Sequence, residues 1–251
     1  MPTSPGRLVV LSGPSCAGKS PLAKALAKFH PELFDRLQPL ILHNSRDPRP
    51  GERNGVDYHF RTREQVEALR GDNRYAVLDV RGDLQALDLE NLRDLAFRGD
   101  AFFEGNPMVG RTILSHPAVA QFPKLSAFMA PLSLEEITFL RAKGHSVNLK
   151  ELVTDVMRRK LLRRTRRQKG ELSLKDLENI ERRAGSAYSE LRLAHHFDCV
   201  IPNHDGEDSE NWDAFYYPLG DARKALNAFV ALLEEGASSC AEKWGADLLP
   251  E

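Results

Sequence analysis

Short apolar runs alternate along this chain with stretches whose apolar residues recur every three or four positions. The first run, residues 7–12, contains four successive apolar residues, which is typical of a buried strand, and residues 21–29 have helical spacing among strong helix formers. The same alternation predicts further strands at 40–42, 56–60, 75–80 and 125–130, and helices at 62–69, 88–99, 133–144, 148–170, 174–193 and 221–235. Strands that alternate with helices favour an α/β fold, in which helices cover both faces of a parallel sheet.

A glycine-containing loop joins the first predicted strand to the first predicted helix. Residues 13–20 read G-P-S-C-A-G-K-S and fit the phosphate-binding pattern G-x-x-x-x-G-K-[ST]. The two glycines let backbone N–H groups turn toward phosphate oxygens, and the helix start adds partial positive charge. We expect Lys19 to reach the β- and γ-phosphates of ATP and the Ser20 hydroxyl to hold Mg²⁺. The predicted ATP-binding residues of the loop are Gly13, Ser15, Cys16, Ala17, Gly18, Lys19 and Ser20. A chance glycine turn is the alternative, and the matching flanks disfavour it.

The bulk composition narrows the class of protein. The chain has 251 residues, of which 41% are hydrophobic, so it can bury a sizeable core, and its net charge of −1 argues against general nucleic-acid binding. Its three cysteines lie far apart, which predicts reduced thiols and a cytoplasmic protein. No apolar run is long enough to cross a bilayer, and the first residues lack the apolar centre of a signal peptide, so we expect no membrane partner.

Residues 46–60 have the composition of a second anion site. Arg46 and Arg49 lie three apart on a proline-stiffened loop, where they offer two planar guanidinium groups to one phosphate. Asn54-Gly55 predicts a tight turn into the strand at 56–60, which would direct Tyr58 toward the same phosphate. An exposed polar loop is the alternative interpretation.

This segment carries a family resemblance. Its order, R-x-P-R-P-G-E-x-N-G-x-D-Y-x-F, together with the loop form G-P-S-x-A-G-K-S, resembles the guanylate kinase family, and the likeness extends over roughly residues 7–203. The resemblance implies a P-loop NTPase-type parallel sheet flanked by helices, with a helical lid and a small acceptor-binding subdomain. It implies a single domain over 1–251, with a core at about 7–36, 88–132 and 196–235, an acceptor-binding subdomain at about 37–87 and a lid at about 133–195.

The resemblance also implies strands at 101–106 and 197–203, and roles for residues outside the loop. Glu104 is expected beside Ser20 at the metal, and Asn203, after the last core strand, beside the adenine of ATP. The candidate catalytic residues are Lys19 in the loop and the lid arginines Arg163, Arg167 and Arg183. ATP and Mg²⁺ are the implied cofactors. A surface carboxylate is the alternative for Glu104, and a solvated helix face or a nucleic-acid patch is the alternative for the basic run at 158–169.

The chain departs from the family pattern where the guanine base is recognised. Gln85 stands at the family's tyrosine position and Leu87 at its hydroxyl position, while the family's glutamate falls on Ala76, or on Asp79 if a helper carboxylate is counted. We assign Arg46, Arg49, Tyr58, Asp79 and Gln85 to acceptor binding. Because the groups that hold a phosphate are kept and those that hold guanine are lost, we predict ATP-dependent phosphoryl transfer to a phosphorylated acceptor that need not be GMP.

Other functions stay open at this point. The acceptor is another nucleotide or a sugar phosphate in the main hypothesis, and GMP in the alternative of a true guanylate kinase. A non-catalytic binding module is the alternative from another class, although such modules tend to lose the glycine loop that is intact here. The sequence predicts no oligomeric state, and it gives no account of the long lid or of the polar, aromatic stretch after Asn203.

Overall fold

The structure is a computed structural model that describes residues 6–48, 51–142 and 147–250. Arg49, one of the predicted acceptor-binding residues, lies outside the described residues, as does Gly144, the expected end of a helix. No helix in the described part of the chain is both long enough and apolar enough to cross a membrane.

Strands and helices alternate over much of the chain, as the sequence predicts, although the strand at 83–88 and the helix at 107–115 were not predicted. In the described residues the strands are β1 (Leu8–Ser12), β2 (Leu37–Pro39), β3 (His43–Asn44), β4 (His59–Phe60), β5 (Tyr75–Val80), β6 (Asp83–Asp88), β7 (Asp100–Gly105), β8 (Lys124–Ala130) and β9 (Cys199–Pro202). The α-helices are α1 (Lys19–Phe29), α2 (Pro31–Phe34), α3 (Arg63–Ala68), α4 (Leu89–Arg98), α5 (Pro107–Ser115), α6 (Leu134–Arg141), α7 (Leu149–Lys169), α8 (Leu174–Gly185), α9 (Ala187–Leu191) and α10 (Gly220–Glu235).

The larger sheet has five strands in the order β2-β7-β1-β8-β9. The outer pairs run parallel, with Gln38 opposite Ala101 between β2 and β7 and Phe128 opposite Val200 between β8 and β9. Every residue of β1 is buried, because a parallel strand covered by helices on both faces has no solvated side. The predicted α/β fold with a central parallel sheet is confirmed.

A smaller, mixed sheet has the order β4-β3-β6-β5. Its β5–β6 hairpin turns through Arg81 and Gly82, whose φ angles are 58° and 87°, as a two-residue turn with both central residues left-handed requires. Asn44 in β3 lies opposite Gln85 in β6. The hairpin thus brings one predicted acceptor residue next to the strand that leads to Arg46.

Several helix starts are defined by side-chain caps. Thr62 and Ser133 form capping boxes with Gln65 and Glu136, and Asp88 accepts hydrogen bonds from amides in the first turn of α4. Each cap satisfies amides that have no partner inside the helix. These starts were predictable because a cap and its partner lie within three residues of each other.

Three local predictions need correction. Residues 40–42 form no strand and instead link β2 to β3. Their apolar pattern reflects the burial of Leu40 and Leu42 in this link. Of the strand expected at 56–60, only the last two residues are a strand, β4. The amides of Val56 and Asp57 instead donate to the carbonyl oxygen of Arg53 in a turn. The helix expected at 174–193 divides into α8 and α9 at Ser186.

The chain separates into two compact units. Among the described residues, one contains those up to Val10, those of Arg36–Phe103 and Thr112–Lys124, and the other contains Leu11–Asp35, Glu104–Arg111 and those from Leu125 onward. The residues after Gly236 pack onto the larger sheet, where Glu242 pairs with Val200 beside β9. Trp244 and Leu249 in that tail are buried.

Candidate active site

The loop between β1 and α1 has a backbone that requires its glycines. Gly13 has a φ of 149° and Gly18 a φ of 100°, both disfavoured for residues with a side chain. A Cβ on Gly13 would meet the carbonyl oxygen of Met129 at 2.4 Å, and one on Gly18 would meet Nδ2 of Asn203 at 2.4 Å. The close packing holds the predicted phosphate-binding loop in one conformation.

Lys19 lies against its own loop. Its Nζ donates hydrogen bonds of 2.8 Å to the carbonyl oxygens of Gly13 and Pro14, and the residue is 8% exposed. The ammonium group therefore lies where the loop turns, and it contributes to closing the loop in addition to its predicted role toward phosphate.

Ser20 and Glu104 meet although they lie far apart in sequence. The Ser20 hydroxyl donates to Oε1 of Glu104 at 2.7 Å. Burial raises the pKa of the Glu104 carboxyl, and the Ser20 hydrogen bond and the Lys19 charge oppose that rise. A hydroxyl and a carboxylate are hard oxygen donors of the kind Mg²⁺ takes along with phosphate oxygens, so the residues present fit the predicted metal. The described residues contain no larger cluster of metal-binding side chains.

The three candidate lid arginines have different partners. Arg183 in α8 is 6% exposed, and its Nε donates to Oγ of Ser15 in the loop at 3.0 Å. Arg163 in α7 instead donates to the Asp208 carboxylate at 2.7 and 2.8 Å, and Nη2 of Arg167 donates to Oε1 of Glu210 at 2.9 Å. Of the three, Arg183 is the one that the structure brings to the loop directly.

The stretch after β9, residues 204–212, packs against the loop and was missed by the sequence analysis. Oε2 of Glu207 accepts a hydrogen bond from the backbone N–H of Gly18 at 3.2 Å. Lys160 Nζ lies 3.5 Å from Oδ1 of Asp208 and donates to the carbonyl oxygen of His204. One signal was present: a segment that follows a strand of a parallel sheet begins at the edge where ligands gather.

Asn203, the predicted adenine neighbour, is fully buried and bonds to backbone. Its Nδ2 donates to the carbonyl oxygens of Ala17 at 2.8 Å and Asp205 at 2.6 Å. Trp212 Nε1 donates to the same Asp205 carbonyl at 2.7 Å. The asparagine thus joins the loop to the 204–212 segment.

The second predicted anion site is built on Arg46. The Arg46 guanidinium forms a bidentate ion pair with Glu52 at 2.6 and 2.7 Å and lies 5.1 Å from the centre of the Tyr58 ring. Its backbone N–H donates to Oδ1 of Asn44, a fully buried side chain whose Nδ2 has no hydrogen-bond partner among the described residues. Arg46 and Tyr58 are brought together as predicted.

The remaining acceptor candidates lie along the β5–β6 hairpin. Gln85 is buried beside Asn44, whereas Asp79 is exposed, accepts from the N–H of Gly82 and lies 4.0 Å from Arg63. Leu87, at the family's hydroxyl position, is 1% exposed and belongs to the core. The hairpin therefore offers Gln85 near Arg46 and keeps Asp79 at its turn.

Comparison with known proteins decides the family. A family model described as Guanylate kinase matches residues 5–80. The guanylate kinase of Synechococcus sp. (strain JA-3-3Ab) is 30% identical over 220 residues, which cover 86% of this chain and 85% of the relative. The chain belongs to the guanylate kinase family. The guanylate kinase of Rickettsia bellii (strain RML369-C) is 29% identical over 213 residues, covering 83% of this chain and 92% of the relative.

A solved structure agrees with this assignment at the level of the fold. The crystal structure of guanylate kinase from Anaplasma phagocytophilum superimposes with a TM-score of 0.54 at 19% identity, covering 94% of this chain and 89% of that chain. Membership of the guanylate kinase family makes this protein a phosphotransferase, so the predicted kinase class is confirmed. Both segments that carried the resemblance lie in the matched range 5–80, and residues 204–212 lie beyond it.

Proposed function

We propose that this protein transfers a phosphoryl group from ATP to a nucleoside monophosphate, with GMP as its acceptor. The observation that carries the proposal is the hydrogen bond of 2.7 Å between Ser20, the last residue of the phosphate-binding loop, and Glu104 in β7. Named relatives support GMP, since those at about 30% identity over most of the chain are guanylate kinases.

At the donor end, the loop binds the ATP phosphates through backbone N–H groups that its glycines orient. Lys19 exchanges its carbonyl partners in the loop for phosphate oxygens. Ser20 and Glu104 would hold Mg²⁺ there, and the bound ion would neutralise negative charge on the phosphates. Arg183 lies on Ser15 and adds a second cation beside the loop.

At the acceptor end, Arg46 exchanges Glu52 for the phosphate of the monophosphate. Its fork already makes a bidentate pair with a carboxylate, and a phosphate presents the same spacing of oxygens. The Tyr58 ring against the guanidinium keeps the fork oriented. The described chain needs no nucleophile of its own, because phosphoryl transfer depends on positioning and charge stabilisation.

A coupled assay of ADP release tests the acceptor. Purified protein receives Mg²⁺·ATP with GMP, dGMP, AMP, CMP, UMP and a set of sugar phosphates. The proposal expects turnover with GMP well above that with every other acceptor, and a Lys19→Ala variant serves as the matched inactive control. Turnover with a different acceptor and none with GMP would contradict the choice of acceptor and leave the kinase chemistry standing.

One observation favours a second assignment, in which the acceptor is another nucleotide or a sugar phosphate. Leu87 is 1% exposed and offers no hydroxyl where the family recognises guanine, and Gln85 takes the tyrosine position. A site without those polar groups discriminates less between bases. The same panel of acceptors separates the two assignments.

Calorimetry with Mg²⁺·ATP tests the alternative of a non-catalytic binding module, which expects no nucleotide binding.

A further inference from the structure

Residues 204–212 are held firmly over the phosphate-binding loop. The Asp205 carboxylate accepts hydrogen bonds from Ser209 Oγ at 2.8 Å, from Asn211 Nδ2 at 3.0 Å and from the Ala222 N–H at 3.0 Å. A Cβ on Gly206 would meet the carbonyl oxygen of Cys16 at 2.1 Å, so the two backbones are in direct contact. The segment is therefore placed on the loop by internal bonds and close packing.

The tip of this segment presents two adjacent carboxylates. Glu207 accepts from the Gly18 N–H at 3.2 Å. Asp208 is nearly buried, with a side chain 4% exposed, and pairs with Arg163 at 2.7 Å and Lys160 at 3.5 Å. The tip thus meets a loop amide and two cations of α7, which are the kinds of group that bind a phosphate.

We propose that Glu207 is an internal anion that competes with the nucleotide phosphate for the loop. The inference rests on the proposed function, because it takes the Gly18 N–H to be a phosphate donor. In the resting protein the carboxylate satisfies that amide, and a nucleotide binds only after displacing it. Glu207 therefore lowers the apparent affinity for ATP by the free energy of its own contact.

The lengths of their hydrogen bonds distinguish Glu207, which competes with phosphate, from Asp208, which anchors the segment. Charge-assisted hydrogen bonds are typically about 2.7–2.9 Å long, and those of Asp208 to Arg163 fall in that range. The Glu207 contact is longer, at 3.2 Å, and is the weaker of the two. Asp208 keeps the segment in place, while the Glu207 side chain rotates away from Gly18 when phosphate arrives.

Calorimetry with Mg²⁺·ATP tests the competition. The samples are the full chain with its native sequence, Glu207→Gln, Glu207→Ala and the control Asp213→Asn, which removes one charge from an exposed position further along. Both Glu207 variants are expected to bind about three- to tenfold more tightly, and the control should match the native protein. Hydrogen exchange of the 13–20 peptide without nucleotide should be faster in Glu207→Ala, because Gly18 loses its acceptor.

The outcomes distinguish the two proposals. Equal dissociation constants for the native protein and both Glu207 variants would overturn the competition and leave the kinase standing. Weaker binding by those variants would also overturn it, because Glu207 would then assist the nucleotide. Unchanged exchange in the 13–20 peptide would also count against the competition, since Glu207 would then not hold Gly18 in solution. Absence of ATP binding in all four proteins would refute the proposed function itself.

Discussion

Arg183 donates a hydrogen bond of 3.0 Å to Oγ of Ser15, a residue 168 positions earlier in the chain. The contact joins α8 to the phosphate-binding loop at Ser15. Because Arg183 as a residue is only 6% exposed, its side chain interacts with the loop under little screening by water. Arg183 is therefore the strongest of the three lid candidates for contact with a transferring phosphate.

Replacing Arg183 by lysine should lower kcat by about tenfold to a hundredfold, since lysine keeps the charge and loses the planar fork. Steady-state kinetics with Mg²⁺·ATP and the preferred acceptor measure the effect. Arg182→Lys is the matched control, because Arg182 is the exposed neighbour on the same helix. Equal kcat values for the two variants would show that Arg183 has no role in catalysis.

Replacing Glu104 by glutamine should raise the Mg²⁺ concentration needed for half-maximal rate by at least about tenfold. The amide keeps the hydrogen bond from Ser20 but withdraws a negative charge from the metal site. A Mg²⁺ titration at saturating nucleotide measures the change, with the exposed Glu234→Gln as control. An unaltered Mg²⁺ requirement would place the metal elsewhere.

The same carboxyl predicts a pH dependence. Burial raises the pKa of Glu104, so protons compete with Mg²⁺ at a pH where an ordinary glutamate is already ionised. The Mg²⁺ affinity of the native protein should fall as the pH is lowered through that raised pKa. Glu104→Gln should lack this dependence, and parallel pH profiles for the two proteins would contradict the assignment.

His204 predicts a second pH effect, on stability. Burial alone would lower its pKa, but hydrogen bonds and charge from Asp221 and Glu136 outweigh burial and raise it. The folded pKa thus lies above the unfolded value, so the contribution is complete below the unfolded pKa and is lost as pH rises through the folded pKa. Because about half of the side chain is exposed, we expect less than about 1 kcal/mol.

Urea unfolding of the native protein and of His204→Gln over a pH series checks this. The difference in unfolding free energy should be largest at mildly acidic pH and shrink as the imidazolium loses its proton. Lys224, which pairs with Asp221 at 3.0 Å, keeps its charge throughout that range. A difference that grows with rising pH would reverse the sign and refute the stabilising role of the His204 ion pairs.

Replacing Arg46 by alanine should raise KM for the acceptor and leave KM for ATP nearly unchanged. Loss of a bidentate phosphate contact is expected to cost about 1.5–3 kcal/mol in acceptor binding. Arg53→Ala in the same loop, where Arg53 is exposed, is the control. Unaltered acceptor kinetics in Arg46→Ala would show that the acceptor binds at a different place.

Local features of the site were predictable from the sequence. The strand, loop and helix at 8–29 follow from spacing within one segment, and the fold confirms them. The proximity of Ser20 and Glu104, which lie 84 positions apart, was expected only through the resemblance to guanylate kinases. Periodicity alone carries no information about which strand end a distant carboxylate reaches.

Contacts made by polar side chains after β9 could not be predicted. Glu207 and Asp208 occur in a polar stretch without helical or strand spacing, so nothing in the pattern connects them to Gly18 or Arg163. The partners of Arg163 and Arg167 were missed for the same reason. The bond from the Asn203 amide to the Ala17 carbonyl was missed as well, because it depends on the close packing of the two loops.

The basic helix α7 carries its own counter-charges. Within the described residues, six of the eight cations between 158 and 169 lie 3.5 Å or less from a carboxylate oxygen, namely Arg158, Arg159, Lys160, Arg163, Arg167 and Lys169. Three of these pairs, those of Lys160, Arg163 and Arg167, depend on Asp208 and Glu210. If the acidic stretch moved away from α7, it would expose three positive charges at once. The strength of retention on immobilised heparin therefore reports whether that stretch is bound to α7.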